Sequence, residues 1–168
     1  MGDLYVSWTD YNRTIERLAA TVHRSGWVFN QIVCIARGGL RIGDALSRIF
    51  DTPLAIISTA SYTGEAGNVR GEIVVAKHMT MTTDALGDTV LLVDDLVDSG
   101  VTLDVVKRHL HSVHPHIQGL RTAVLWYKGC SHLKPDYFAD FLPENPWIHQ
   151  PFEPYEQMKP ADLAARIQ

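Results

Sequence analysis

The residues best suited to chemistry stand in one segment near the middle of the chain, where acidic side chains follow an apolar run. Asp94 and Asp95 come directly after the run 90–93, and Asp98 lies three residues further on. A turn of mostly small residues follows: Ser99, Gly100, Val101 and Thr102. Main-chain N–H groups in such a turn at the start of a helix can bind phosphate. Because carboxylates would repel a phosphate, we predict a phosphorylated sugar whose hydroxyls, or a bound Mg²⁺, meet the acidic pair.

The alternative for this segment is a buried strand followed by a capped helix. A cap needs only one Asp or Ser, whereas three carboxylates lie between positions 94 and 98. In open α/β sheets, ligands bind outside the carboxyl ends of the strands, where these residues are expected. We therefore favour a ligand site.

A second glycine-containing turn has the same relation to its neighbours. Arg37, Gly38 and Gly39 follow the apolar run 32–36 and precede a helical pattern. Two glycines allow the main chain to approach a ligand closely and to adopt positive φ angles. Alone, these residues favour a plain tight turn, but the acidic segment makes a second ligand-binding turn the better interpretation.

Other candidate residues each have an ordinary alternative. The polar segment 60–71, which contains Ser61, Tyr62 and Arg70, also fits a solvated hairpin loop. Lys128 follows an apolar run at another strand end, where solvated lysines are common. Trp147 would suit stacking on a planar ligand or simple packing under a loop. The eight histidines show no metal-ligand spacing.

These segments resemble type I phosphoribosyltransferases. Residues 90–102 are similar at every position to the family's signature for phosphoribosyl pyrophosphate (PRPP). Ala-Arg-Gly-Gly-Leu at 36–40 and Trp-Ile-His-Gln-Pro-Phe-Glu at 147–153 resemble bacterial xanthine–guanine phosphoribosyltransferases in particular. The resemblance runs from Val6 to Glu156. The chain departs from the family at Val101, where a glycine is frequent. It also departs in residues 129–156, which resemble the family's hood over the base site and are about one residue longer.

The resemblance implies roles at the pyrophosphate end of PRPP. Arg37, Gly38 and Gly39 correspond to a loop, often with a cis non-proline peptide, that binds pyrophosphate and stabilises its charge as it leaves. The family's mobile loop, which closes over pyrophosphate, corresponds to Ser61 and Tyr62, with Arg70 near its far end.

Further roles follow from the resemblance at the sugar and the metal. Asp94 and Asp95 would hold the ribose hydroxyls and contact Mg²⁺, and residues 98–102 would bind the 5′-phosphate. Asp98 is the implied general base, which takes a proton from purine N7. Glu153 stands where the family commonly has an Asp near a second Mg²⁺, and it is one methylene longer.

At the base, Lys128 would donate to the O6 and N7 edge of a 6-oxopurine. Trp147 and Ile148 match an aromatic–aliphatic pair that stacks on the base and presents main-chain groups to it. Adenine would not accept a lysine proton at its 6-amino group, so the resemblance favours guanine, xanthine or hypoxanthine.

Alternating patterns predict the elements that position these residues. Helices are expected at about 11–22, with Thr9 or Asp10 as the cap, and at 40–50, 102–113 and 161–167. Strands are expected at 31–36, 54–59, 72–77, 90–94 and 120–127. Residues 129–154 look irregular and resemble a hood rather than a core element. The alternation predicts an α/β fold with a mostly parallel central sheet flanked by helices, which the resemblance identifies as the type I phosphoribosyltransferase fold.

Length and composition set broad limits. A chain of 168 residues suits one domain over 1–168, with residues 129–156 as a small irregular C-terminal hood over the base site. A net charge of −4 without a basic run argues against nucleic-acid binding. Two cysteines cannot form a disulfide framework, and Cys34 lies in an apolar run that suggests a buried thiol. The start of the chain carries no signal-peptide pattern and no apolar run reaches membrane-spanning length, so we expect a cytoplasmic protein without membrane contact.

The prediction is a Mg²⁺-dependent purine phosphoribosyltransferase of purine salvage. Its ligands would be PRPP, a 6-oxopurine base, the nucleoside monophosphate product and pyrophosphate, and the family resemblance suggests a homodimer or homotetramer. Two alternatives stay open: a phosphoribosyltransferase for another base, and a nucleotide-sensing RNA-binding regulator on the same fold.

Overall fold

A computed structural model describes residues 2–61 and 73–167 of the chain. Tyr62 and Arg70, two of the predicted site residues, lie outside these ranges. The described strands are β1 (Leu4–Tyr5), β2 (Gln31–Ala36), β3 (Leu54–Ser61), β4 (Ile73–Val75), β5 (Thr80–Met81), β6 (Thr89–Val97), β7 (Gly119–Lys128), β8 (Tyr137–Leu142) and β9 (Ile148–His149). The described helices are α1 (Trp8–Arg24), α2 (Leu40–Ile49), α3 (Val101–Val113), α4 (Pro154–Gln157) and α5 (Pro160–Arg166).

The main sheet has the strand order β4-β3-β2-β6-β7-β8, and β5 also pairs with β3. Strands β3, β2, β6, β7 and β8 run parallel to their neighbours, whereas β4 and β5 pair with β3 in the antiparallel direction. The predicted α/β class with a mostly parallel sheet is therefore confirmed.

Helices cover both faces of this sheet, and the side chains of β6 show how. Successive residues of a strand point to opposite faces. Leu91 and Val93 belong to the buried cluster that contains α1 and α2 side chains, whereas Val90 and Leu92 belong to the cluster of α3. This two-sided burial explains why the run 90–93 is apolar at every position rather than at alternate ones.

The order in which the chain adds strands to the sheet reverses between the neighbouring strands β2 and β6. From β2 the chain continues to β3 on one side, and the later strands β6, β7 and β8 follow on the other. Cys34 of β2 is in register with Val93 of β6. The two predicted ligand-binding turns, after Ala36 and after Val97, therefore lie at one end of the sheet, at the switch point where α/β proteins bind ligands.

Helix α1 begins earlier than predicted. Its N-cap is Ser7, whose hydroxyl accepts a hydrogen bond from Asp10 N at 3.1 Å, so Thr9 and Asp10 lie inside the helix. The sequence prediction of Thr9 or Asp10 as the cap is therefore wrong, because Ser7 is the residue with the extended backbone geometry of an N-cap. Within the described ranges, no helix is both long enough and apolar enough to cross a bilayer.

The expectation that residues 129–154 are irregular is wrong in part. Strand β8 lies within this segment and extends the main sheet in parallel beside β7, with Tyr137 buried in the core. Strand β9 pairs with β1 in a separate two-stranded parallel sheet. Strand β8 has the sequence Tyr-Phe-Ala-Asp-Phe-Leu, and its aromatic side chains favour strand structure because they fit a pleated, half-buried surface.

Candidate active site

The acidic pair lies inside β6 rather than after it, because the strand continues to Val97. Asp95 N donates to Asp94 Oδ1 at 2.9 Å, and Leu96 N donates to Asp95 Oδ1 at 2.8 Å. Burial, together with the neighbouring Asp95 carboxylate, raises the pKa of Asp94 well above its ordinary value. Asp94 therefore resists carrying a negative charge in the protein alone.

The turn after β2 packs directly against this pair. A methyl group on Gly38 would lie 2.6 Å from Asp95 Oδ1, and one on Gly39 would lie 2.6 Å from the carbonyl oxygen of Val93. Both contacts are shorter than real Cβ atoms show, so a side chain on Gly39 would press against main chain and one on Gly38 would displace the Asp95 carboxylate. The Ala36–Arg37 peptide bond is cis, as the family resemblance led us to expect.

The turn between β6 and α3 forms a cavity of about 210 Å³. It is lined by residues 94–100, Thr102 and Leu103, whereas Val101 opens the helix and does not line it. Gly100 has a φ of +89°, in the left-handed region that favours glycine, and a Cβ there would lie 2.7 Å from Ser131 Oγ. The start of the 13-residue helix α3 thus faces a small polar cavity, which suits a phosphate group.

A larger cavity of about 640 Å³ adjoins the first, and Asp95 lines both. Arg37 and Gly38 line it together with Glu153 of the C-terminal segment. The Arg37 guanidinium is exposed and lies 3.6 Å from the Glu156 carboxylate, so a ligand can compete for it.

Glu153 is held by His149, whose Nδ1 lies 3.4 Å from its Oε2, while Nε2 of the same ring lies 2.9 Å from Asp3 Oδ2. The hydrogen bond to Asp3, with a smaller contribution from Glu153, raises the pKa of His149.

Lys128 ends β7 and is buried, with 9% of its side chain exposed. Its Nζ lies 3.5 Å from Oδ1 of Asp98, a side chain that is 62% exposed. The Cys130 thiol donates to the same Asp98 oxygen at 3.3 Å. Desolvation and this hydrogen bond raise the pKa of Cys130, so the thiol stays protonated and available as a donor. The alternative of a solvated lysine after the strand is therefore wrong.

Trp147 and Ile148 lie beside each other but differ in exposure. The Trp147 side chain is 64% exposed, and Ile148 is buried in the core. Pairing with β1 holds this segment, since Leu4 N donates to the Trp147 carbonyl at 2.8 Å. The indole is free to stack on a ligand, whereas Ile148 can offer only its main chain.

Some predicted residues could not be placed at the site, and others were missed. Ser61 ends β3, and Tyr62 and Arg70 lie outside the described residues. The sequence did not single out Arg41, which lines the larger cavity with its guanidinium 5.2 Å from the ring centroids of Trp8 and Phe152. It also gave no role to Gln150, although the motif at 147–153 contains it, or to Cys130.

A doubly wound sheet with a phosphate-sized cavity and paired acids at its switch point defines an α/β enzyme that handles a phosphorylated ligand. Comparison with known proteins specifies the family. Residues 7–157 match the model of the phosphoribosyl transferase domain. The xanthine-guanine phosphoribosyltransferase of Gluconobacter oxydans is 32% identical over 155 residues, which cover 88% of this chain and 83% of that protein. The chain belongs to the phosphoribosyl transferase family.

Solved structures agree with this assignment. A purine phosphoribosyltransferase from Pyrococcus horikoshii has a TM-score of 0.74 and 28% identity, covering 91% of this chain and 95% of its own. The xanthine-guanine-hypoxanthine phosphoribosyltransferase of Helicobacter pylori has a TM-score of 0.78 and 26% identity, covering 97% and 99%. The predicted type I phosphoribosyltransferase fold is thus confirmed.

Proposed function

We propose that this protein transfers the 5-phosphoribosyl group of PRPP to guanine, xanthine or hypoxanthine, releasing pyrophosphate and a nucleoside monophosphate in purine salvage. The observation that carries the proposal is the position of the acidic pair and the 98–102 turn at the switch point, against Gly38 and beside Lys128. The relatives named for purine substrates support the choice of base.

The sugar end of PRPP would bind where the two cavities meet. The 5′-phosphate would occupy the smaller cavity, on the amides of the 98–102 turn at the start of α3. Asp95 lines both cavities, so its carboxylate would meet the ribose hydroxyls, with Asp94 next to it in the strand. Pyrophosphate would lie in the larger cavity, where Arg37 and the amides around Gly38 stabilise the negative charge that develops as it leaves.

The donor set fits Mg²⁺. Asp94 and Asp95 offer hard carboxylate oxygens, and Glu153 adds another on the wall of the larger cavity. The described residues contain no cluster of three or more potential metal-ligating side chains. This suits Mg²⁺, which is usually bound by one or two carboxylates together with substrate phosphates and water. When bound, Mg²⁺ would supply positive charge to the pyrophosphate oxygens.

The base would lie between Trp147 and the Asp98–Lys128 pair. On one edge of a 6-oxopurine, O6 is an acceptor and a protonated N7 beside it is a donor, and Lys128 Nζ and Asp98 Oδ1 are 3.5 Å apart. Lys128 would donate to O6, since an ammonium has no acceptor, and Asp98 would take the N7 proton as N9 attacks the sugar. Stacking on the exposed Trp147 indole would hold the ring plane and contribute about 1–3 kcal/mol.

We further propose that the enzyme works in the cytoplasm, and that it forms a homodimer or homotetramer, the assembly that the family resemblance suggests. Light scattering after size-exclusion chromatography would give the oligomeric state, and a monomeric mass would contradict that part of the proposal.

The activity is tested by incubating the purified protein with PRPP and each of the three bases, and by measuring pyrophosphate and nucleotide formation. We expect turnover with at least one base in Mg²⁺ and none after chelation with EDTA. No turnover with any base, in a folded sample with Mg²⁺, would overturn the enzyme assignment. Turnover that survives EDTA would overturn only the metal requirement.

A further inference from the structure

Gln150 is a buried amide that contacts the acidic pair from a distant part of the chain. It follows β9, is 7% exposed and lines the larger cavity. Its Nε2 donates to Asp95 Oδ2 at 2.5 Å, across a separation of 55 residues. A hydrogen bond to an ionised carboxylate is stronger than one between neutral groups.

The Asp95 carboxylate is fixed from three sides. Leu96 N donates to Oδ1, Gln150 Nε2 donates to Oδ2, and the missing side chain of Gly38 leaves room for the whole group. Each oxygen therefore has a protein donor, and neither is satisfied only by solvent. The main-chain donor belongs to β6 itself, so Gln150 is the only one of the two donors that a side-chain substitution can remove.

The amide can hold Asp95 in only one orientation. Rotating the terminal group by 180° would place the Gln150 carbonyl oxygen against the carboxylate, and two acceptors would then face each other. In the orientation found, Oε1 has no hydrogen-bond partner among the described residues. Among residues 2–61 and 73–167, the donor contact to Asp95 is thus the one hydrogen bond that orients this buried side chain.

Gln150 also connects two parts of the site. It lies two residues after Ile148 in the segment that presents Trp147, and this segment is fastened to the N-terminal strand through β9 and β1. Asp95 lies in β6 between the two cavities. The hydrogen bond therefore joins the proposed base segment to the proposed sugar site.

We infer that Gln150 is a positioning residue, which holds the Asp95 carboxylate in the orientation that receives the ribose hydroxyls and metal of PRPP. The inference rests on the proposed function. It assigns Gln150 to PRPP binding rather than to base recognition, although Gln150 belongs to the base segment by sequence.

The test compares Gln150→Met, which keeps the length of the side chain and removes the donor, with Gln150→Glu, which replaces the donor by an acceptor. Gln118→Met is the matched control, because Gln118 is exposed and remote from the acidic pair. Calorimetry measures binding of PRPP with Mg²⁺ in the absence of any base, and steady-state assays measure the KM values for PRPP and guanine. Thermal unfolding checks that each variant is folded.

We expect Gln150→Met to weaken PRPP binding about 10- to 100-fold, the effect of losing one hydrogen bond to a charged group. Gln150→Glu should weaken it at least as much, since two carboxylates would face each other. The KM for guanine should change much less, and Gln118→Met should match the wild type.

Three results overturn the inference. The first is folded Gln150 variants that bind PRPP as the wild type does. The second is a lower melting temperature with unchanged PRPP affinity, which would make Gln150 structural only. The third is a rise in the guanine KM alone, which would place Gln150 at the base. A wild-type protein that binds no PRPP would contradict the proposed function itself.

Discussion

At the scale of residues, the contacts of Asp98 show how a side chain at this site is oriented and still accessible to a ligand. Its exposed carboxylate receives the buried Lys128 ammonium at 3.5 Å and the Cys130 thiol at 3.3 Å through the same oxygen. These contacts orient the carboxylate without enclosing it. A proton acceptor needs this combination of fixed direction and access.

We expect Asp98→Asn to lower kcat by about 10²- to 10⁴-fold, the usual contribution of a positioned general base. An amide keeps the shape but cannot take the proton, so PRPP affinity should change little. Stopped assays of nucleotide formation and calorimetry of PRPP measure the two quantities. Asp44→Asn, at an exposed pair with Arg48, is the control. If kcat stays near the wild-type value, Asp98 is not the base.

Lys128 should determine which purine is accepted. A buried donor left unpaired by its ligand is costly, so the kcat/KM for adenine should be lower than for guanine by about 10⁴-fold. Lys128→Met keeps the buried stem and removes the charge, and should lower the kcat/KM for guanine by about 10- to 100-fold. PRPP binding should be nearly intact.

The control for the lysine is Lys134→Met at an exposed position. Adenine used as well as guanine by the wild type would contradict the role of Lys128. Equal losses of PRPP and guanine binding in Lys128→Met would instead assign the lysine to the fold or to the phosphates.

At the scale of elements, local patterns predicted the central strands of the main sheet and its edge strand β4, but they missed β5 and the opposite edge strand β8. The strand at Gln31–Ala36 was predicted at its observed bounds, because burial on both faces makes every residue after Gln31 apolar. Strand β8 was missed because Asp140 interrupts its apolar pattern and prolines stand near both of its ends. Strands β1 and β9 have two residues each and form only by pairing with each other. No local pattern predicts such an element.

The contribution of the Ser7 N-cap of helix α1 to stability can be measured. Its hydroxyl accepts from Asp10 N at 3.1 Å and donates to Asp10 Oδ2 at 2.6 Å. Ser7→Ala should lower the free energy of unfolding by about 1 kcal/mol, the typical loss for such a cap, as measured by urea denaturation. Ser112→Ala, at an exposed position in α3, should not lower it. Equal effects of the two substitutions would contradict the capping role.

At the scale of the molecule, the candidate site is assembled from segments that lie far apart in the sequence. The turn after β2 meets the acids of β6 because the two strands are parallel neighbours and their carboxyl ends lie at the same edge of the sheet. The sequence was enough to predict this contact. It did not suffice for the contacts between Cys130 and Asp98 or between Gln150 and Asp95, which span 32 and 55 residues. Those contacts depend on how the region after β7 folds back, and that region was the least well predicted.

Because ligand contacts come from several elements, PRPP binding should stabilise the whole fold. At 100 times its dissociation constant, a ligand that binds only the native state adds about 2.7 kcal/mol to the free energy of unfolding. For a chain of this size that corresponds to a rise of about 5–10 °C in melting temperature. We expect this rise with PRPP and Mg²⁺ together in the wild-type protein.

Thermal unfolding measures this rise. In Gly38→Ala, PRPP and Mg²⁺ should raise the melting temperature hardly at all, because the added methyl would lie 2.6 Å from Asp95 Oδ1 and displace the carboxylate that lines both cavities. Gly2→Ala is the control, because a Cβ there meets nothing within 4 Å. Mg²⁺ alone should shift the wild-type melting temperature less than PRPP with Mg²⁺ does, because the phosphate turn contributes only when PRPP is present. An equal rise with Mg²⁺ alone, or a full rise in Gly38→Ala, would show that PRPP does not bind across Asp95.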